Sequence, residues 1–218
     1  MELNGRPDVL VRVIDDDDQM RRSWKFALQA EGLTVKTYTG AVQFLRDDDP
    51  SIPGCIVCDV RMPEMTGLEL QVELKSRHSI LPLIFVSAHG DIVMAVKAVK
   101  DGAYDFLPKP VQVDRLIEVV TGALEKNRHD VREKQTRDQA CTAYSQLSAR
   151  EKEVVQGVAD GLLNKQIAFN LGITEKTVIS HRASLRRKLG MRTASEMTRF
   201  LMLVNGEVSG IEPKEEAH

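Results

Sequence analysis

Val9-Leu10-Val11-Arg12-Val13-Ile14 runs directly into Asp15-Asp16-Asp17-Asp18. A β-branched run of this length reads as a strand, and its acids sit at the carboxyl end. Cys55-Ile56-Val57-Cys58 repeats the pattern and closes on a single acid, Asp59. Residues 82–87 close on Ser87, and Tyr104-Asp105-Phe106-Leu107 is followed by Lys109. Parallel strands lying side by side would bring these groups together in the crevice where open α/β sheets bind ligands.

The rest of the first half fits such a sheet. Strands are predicted over 9–14, 33–38, 55–59, 82–87 and 104–107. Amphipathic helices are predicted between and after them, over 20–30, 40–46, 67–77, 91–101 and 112–126. Five strands alternating with five helices imply a parallel sheet covered on both faces. Pro50, Pro53-Gly54, Pro63 and Gly102 fall in the expected connections.

The constellation has a chemical logic. A phosphoryl group approaching a carboxylate brings several negative charges with it. A hard cation held by carboxylate oxygens offsets them. Asp15 and Asp16 are the metal candidates and Asp59 is the nucleophilic acceptor. Ser87 can hydrogen-bond to the phosphoryl oxygens, and Lys109 can pair with them. Asp17 and Asp18 open the next helix, where the macrodipole favours acids.

Composition sets bounds. Of 218 residues, 42% are hydrophobic and 28% charged, ordinary for a globular protein of one large or two smaller domains. No apolar stretch approaches the roughly 18 residues of a membrane span. The first eight residues lack the basic and apolar regions of a secretory signal, so a cytoplasmic location is expected. Cys55 and Cys58 would point to opposite faces of a strand, about 10 Å apart at ~3.3 Å per residue. That is too far for a disulfide, so they are expected to be buried thiols. Residues 1–125 hold 14 Lys+Arg and 20 Asp+Glu, net −6, and residues 126–218 hold 16 and 12, net +4, together the −2 of the whole. An acidic half that holds a cation and a basic half that meets a polyanion would explain the asymmetry.

Residues 127–146 are polar and highly charged. They are expected to be a linker, either an exposed helix continuing the one before or an extended segment, between a domain at 1–126 and another at 147–205. A flexible tail is expected over 206–218. The second domain shows four helical segments and no strand pattern. Ser148 and Glu151 form a capping box. A short helix over 164–170 is followed by the turn Leu171-Gly172-Ile173-Thr174, and a longer helix runs to about Leu189, with a last one from Thr193. A short helix, a glycine turn and a basic helix make a helix-turn-helix pattern. At 100° per residue, Val178, Leu185 and Leu189 form the buried stripe of the longer helix. Lys176, Ser180, Ala183 and Arg187 lie opposite, small at the centre and cationic towards the end. Such a face suits the major groove, with small groups near bases and cations on phosphate.

Two resemblances follow from these residues. Ile14-Asp15-Asp16, Cys58-Asp59-Val60-Arg61-Met62-Pro63-Glu64-Met65-Thr66-Gly67, Val86-Ser87-Ala88-His89-Gly90-Asp91 and Lys109-Pro110 resemble a response-regulator receiver domain over residues 8–126. That resemblance implies strand order 2-1-3-4-5 and phosphorylation of Asp59. It implies Mg²⁺ (or Mn²⁺) held by Asp15 or Asp16 with Asp59 and the backbone carbonyl of Arg61. It also implies switching through Ser87 and the aromatic Phe106, a structural or switch-loop role for His89, ordinary packing for Tyr104, and a cis Lys109–Pro110 peptide. The motifs from Leu147 to Gly190 resemble a LuxR-type helix-turn-helix over residues 147–204. There Ile179, Ser180 and Ala183 fall at base-reading positions, and Lys165, Thr177, Arg182 and Lys188 match phosphate contacts. Together they resemble a two-component response regulator of the NarL/FixJ type. The implied partners are a sensor histidine kinase, double-stranded DNA, a second copy paired through the fourth helix and fifth strand, and RNA polymerase. Catalytic turnover beyond slow autodephosphorylation is not expected. An aspartyl-phosphate phosphotransferase or phosphatase would commonly carry a second acid where Arg61 stands.

Overall fold

The computed structural model describes residues 9–88 and 92–207. The expectations for residues 1–8, for His89 and for the tail from 208 onward lie outside the described residues. The chain divides into two compact units between Val131 and Arg132.

The first unit alternates strand and helix: β1 (Leu10–Ile14), α1 (Asp18–Ala30), β2 (Val35–Tyr38), α2 (Ala41–Asp47), β3 (Gly54–Asp59), α3 (Gly67–Ser76), β4 (Leu83–Ser87), α4 (Ile92–Lys100) and β5 (Asp105–Pro108). The helix α5 (Val113–Ser145) follows. All strand pairs are parallel and the order is β2-β1-β3-β4-β5. The period-two alternation of the strands separates two cores. Val11, Val13, Cys55, Val57, Ile84 and Val86 pack with Trp24 and Leu28 of α1 and with Leu116, Val120 and Ala123 of α5. Ile14, Ile56, Cys58 and Phe85 pack with Phe44, Leu70, Leu74 and Ala98 of α2, α3 and α4. Cys55 and Cys58 thus face opposite sides, and both are free, buried thiols.

Arg12 departs from the apolar reading of its strand. It is fully buried on β1, and its guanidinium bonds to the Asp48 carboxylate (2.7 Å) and to the carbonyls of Asp49 (2.9 Å) and Ile52 (2.8 Å). Tyr38 donates its hydroxyl to the same Asp48. A buried cation is tolerated here because its hydrogen bonds are satisfied and its charge is paired.

The polar stretch after residue 126 is helical: α5 runs unbroken for 33 residues, beginning in the first unit and ending in the second. In the first unit Asn127 is buried. Its side chain accepts from the Gly54 N–H (2.7 Å) and donates to the Ile80 carbonyl (2.8 Å), which ties α5 to the chain entering β3 and β4. The end of α5 contributes Ala140, Ala143 and Tyr144 to the core of the second unit.

The second unit adds α6 (Ala149–Ala159), α7 (Asn164–Leu171), α8 (Glu175–Leu189) and α9 (Ala194–Asn205). Val154, Val155, Val158, Ile167, Val178, Leu185, Met197 and Phe200 form its core. Ser148, Thr174 and Thr193 cap α6, α8 and α9. Gly172 takes the left-handed conformation (φ 64°) that lets α7 turn sharply into α8. Among the described residues no helix is long and apolar enough to cross a membrane.

Candidate functional site: an acidic crevice and a basic recognition helix

Register brings the strand ends together, with Ile14 beside Cys58, Asp59 beside Val86 and Ser87 beside Pro108. The first residue past β1 is Asp15, the last of β3 is Asp59 and the last of β4 is Ser87. All three are buried, at 1%, 6% and 2% exposure. Lys109 enters from just beyond β5. Its ammonium lies 2.9 Å from Asp15 Oδ2 and 2.6 Å from Asp59 Oδ1, so one cation bridges two carboxylates. The other oxygen of Asp59 accepts from the Arg61 backbone N–H (2.6 Å), and the other oxygen of Asp15 accepts from the Asp17 N–H (2.8 Å). The Lys109 N–H donates to the Ser87 carbonyl (2.8 Å). The Lys109–Pro110 peptide is cis.

Charge follows burial. Desolvation pushes the Asp15 carboxyl up, and Lys109 only partly opposes it. For Lys109, burial works against the charged form, but its bonds to Asp59 and Asp15 outweigh that and hold its pKa above the ordinary value. Asp16 is exposed at the rim, and Asp17 turns away to cap α1 by accepting from Gln19 and Met20. The α3 N-terminus closes on the end of β3 at Gly67, where an added Cβ would lie 2.5 Å from the Asp59 carbonyl oxygen. Phe106 is half-buried, its ring centroid 6.2 Å from that of Phe85. Tyr104 packs on the opposite core, against Gly122 of α5.

Two neighbours escaped the sequence reading. Trp24 of α1 lies with its ring centroid 5.2 Å from the Lys109 ammonium. Arg21 donates to the Asp15 carbonyl (2.7 Å). Their helical spacing after Asp15 was the available signal; it places Arg21 near Asp15, six positions earlier, but does not reveal the contact of Trp24 with Lys109, over 80 positions away.

Asp15, Asp16 and Asp59 offer only oxygen donors, the type a hard divalent cation prefers. Among the described residues, the group of three whose ligand atoms all lie within 4.8 Å of one another is instead His129, Asp130 and Glu133, on the polar surface of α5. Asp130 there is paired with Lys126 (2.6 Å).

In the second unit α8 buries Val178 and Leu185 and exposes Lys176, Ile179, Ser180, Ala183 and Arg187 along one face. Arg186, Arg187 and Lys188 crowd its last turn, where the macrodipole favours cations. Lys165 is exposed near the start of α7. Three expected phosphate contacts are engaged within the protein. The Thr177 hydroxyl bonds to that of Thr174 (2.8 Å), Arg182 donates to Asn164 Oδ1 (2.9 Å), and Lys188 donates to Glu151 Oε2 (2.7 Å). Glu151 is 4% exposed and also accepts from the Ser148 N–H and the Ser184 hydroxyl, so it joins α6 to α8. The capping box revealed only the first of these roles.

An acidic crevice at the carboxyl end of a 2-1-3-4-5 sheet, on one chain with a helix-turn-helix unit, defines a class of regulator that couples phosphoryl chemistry to DNA. Residues 11–121 match the response regulator receiver domain family, and residues 145–201 match the bacterial regulatory proteins of the luxR family. The chain belongs to the transcriptional response regulators that join these two domains. It is 39% identical over 207 residues to the transcriptional regulatory protein FixJ of Azorhizobium caulinodans, covering 95% of this chain and 96% of that one. It is 37% identical to the response regulator protein TodT of Pseudomonas putida, over 87% of this chain and 84% of that. Among solved structures, the response regulator StyR is similar with a TM-score of 0.80 at 39% identity, covering 88% of this chain and 98% of that one.

Proposed function

We propose that a sensor histidine kinase supplies the phosphoryl group and that Asp59 accepts it. The observation that carries this reading is the Lys109 ammonium bridging Asp15 and Asp59 at the sheet's carboxyl end. A carboxylate oxygen of Asp59 attacks phosphorus, the bond from phosphorus to the donor's imidazole nitrogen breaks, and the electron pair leaves with the imidazole. Lys109 then pairs with a phosphoryl oxygen in place of the carboxylate. Asp15, Asp16, Asp59 and the Arg61 carbonyl would hold Mg²⁺ or Mn²⁺, which supplies charge neutralisation when bound. Ser87 moves towards the phosphoryl oxygens and Phe106 repacks into the space it leaves. The change is a population shift rather than catalytic turnover, with slow autodephosphorylation as its reversal.

The output surface is α4 with β5. Ile92 and Val93 are 82% and 77% exposed, and Val96 and Val99 are exposed on the same helix. That apolar face supports pairing with a second receiver. The paired chains bind two DNA half-sites, with Ile179, Ser180 and Ala183 towards base edges and Lys165, Lys176 and Arg187 towards phosphates. Thr177, Arg182 and Lys188 join them as their internal partners allow. RNA polymerase is the downstream partner and the cytoplasm the place of action.

The test is phosphorylation by acetyl phosphate with Mg²⁺. An acid-labile phosphoryl group is expected on the wild type and none on Asp59→Asn. Equal labelling of the variant would overturn the assignment.

A further inference from the structure

The Lys109 ammonium has three donors, and its bonds to Asp15 and Asp59 account for two of them. The indole of Trp24 stands 5.2 Å away, within the distance at which an aromatic face attracts a cation, and tryptophan presents the strongest such face. Trp24 is itself fixed: it is 5% exposed and belongs to the buried cluster that includes Val11, Leu28, Leu107 and Leu116. The lysine stem is long and flexible, and its side chain retains 16% exposure. It therefore has somewhere to swing when its bond to Asp59 is exchanged for one to an incoming phosphoryl oxygen.

We infer that Trp24 is a positioning residue for phosphoryl acceptance, holding the Lys109 ammonium over the crevice through its indole face. The inference rests on the reading of Asp59 as phosphoacceptor. Trp24 touches neither the reacting atoms nor the metal candidates' oxygens in this role. It acts through Lys109, which would otherwise lose orientation at the moment its carboxylate partner is consumed. Any aromatic ring at this position should preserve part of the effect, whereas an aliphatic side chain of similar burial should preserve none.

The experiment compares wild type, Trp24→Phe, Trp24→Leu and Asp59→Asn in the full-length chain. The rate of phosphorylation by acetyl phosphate with Mg²⁺ is measured beside the NMR shift of the Lys109 ε-methylene protons. Trp24→Leu should slow labelling roughly three- to tenfold, the range a partly desolvated cation–π contact supports, and Trp24→Phe should recover much of that loss. In the wild type the ε-methylene protons should be shifted upfield by the ring current, less so in Trp24→Phe and not in Trp24→Leu. Equal rates in all three Trp24 forms would overturn the inference, as would equal slowing by Phe and Leu, which would mark a packing defect. An unlabelled wild type, or a labelled Asp59→Asn, would refute the phosphoacceptor reading instead, and the proton shifts would then decide whether Trp24 holds Lys109. Should Trp24→Leu fail to fold, absence of the upfield shift in the wild type would still overturn the proposal, and its presence and reduction in Trp24→Phe would sustain it.

Discussion

Replacing Glu151 with glutamine removes a charge while keeping the shape and the acceptor oxygen. In the native protein the carboxylate meets Lys188, the Ser148 N–H and the Ser184 hydroxyl. Led by the bond to Lys188, these hold its pKa down to about 2, against 4.5 for an ordinary glutamate. A group held below its unfolded pKa stabilises the fold above that unfolded value and loses the contribution as pH falls towards the folded one. The window is therefore pH 4.5 down to about 2. A drop of this size corresponds to roughly 3 kcal/mol, at about 1.36 kcal/mol per unit. Lys188 is 45% exposed, so water screens its share and about 2 kcal/mol is expected. Urea unfolding followed by circular dichroism should show Glu151→Gln less stable than wild type by that amount at pH 7, with the gap closing near pH 2.5. Trp24 fluorescence, which reports the first unit, should show the same transition in both proteins. A gap that persists unchanged in acid, or none at pH 7, would refute the charge-based account of how α6 and α8 are joined.

Asp16→Ala should weaken Mg²⁺ binding at least tenfold, about 1.4 kcal/mol, in a titration read by Trp24 fluorescence; equal affinities would remove Asp16 from the metal set. Lys165→Ala should weaken DNA binding about equally on all sequences and lower the salt slope by roughly one unit, whereas changes at Ile179 or Ser180 should alter base preference by ~1–3 kcal/mol per position. A Lys165→Ala protein that changed sequence preference while keeping its salt slope would mean a different docking of α8. Arg12→Met should destabilise the first unit by about 3–5 kcal/mol in urea unfolding, because Asp48 would remain buried without its cation; a loss under 1 kcal/mol would show that Asp48 finds water instead.

Most of the sheet was legible because its signals are local. Each strand is a short β-branched or apolar run ending at a turn, and the observed boundaries of the five strands fall within two residues of those expected. The crevice was legible for the same reason, since Asp15, Asp59, Ser87 and Lys109 each mark the end of a strand. What was hidden depends on contacts between distant residues. Arg12 sits in an apolar run, and nothing nearby announces Asp48, 36 positions away, as its partner. A helical projection places Lys188 on the flank of α8 but cannot show Glu151 reaching it from α6. The segment after residue 126 offered two readings, because a charged helix with few apolar residues has the composition of a linker. Asn127 at one end and Ala140 and Tyr144 at the other find their partners only in the folded units.

The most direct test is the affinity of the full-length chain for genomic fragments selected by footprinting, measured with and without acetyl phosphate and Mg²⁺. Phosphorylation should tighten binding at least tenfold in the wild type, about 1.4 kcal/mol, and leave Asp59→Asn unchanged. Equal affinities with and without the donor in a demonstrably phosphorylated wild type would contradict the coupling of Asp59 to DNA.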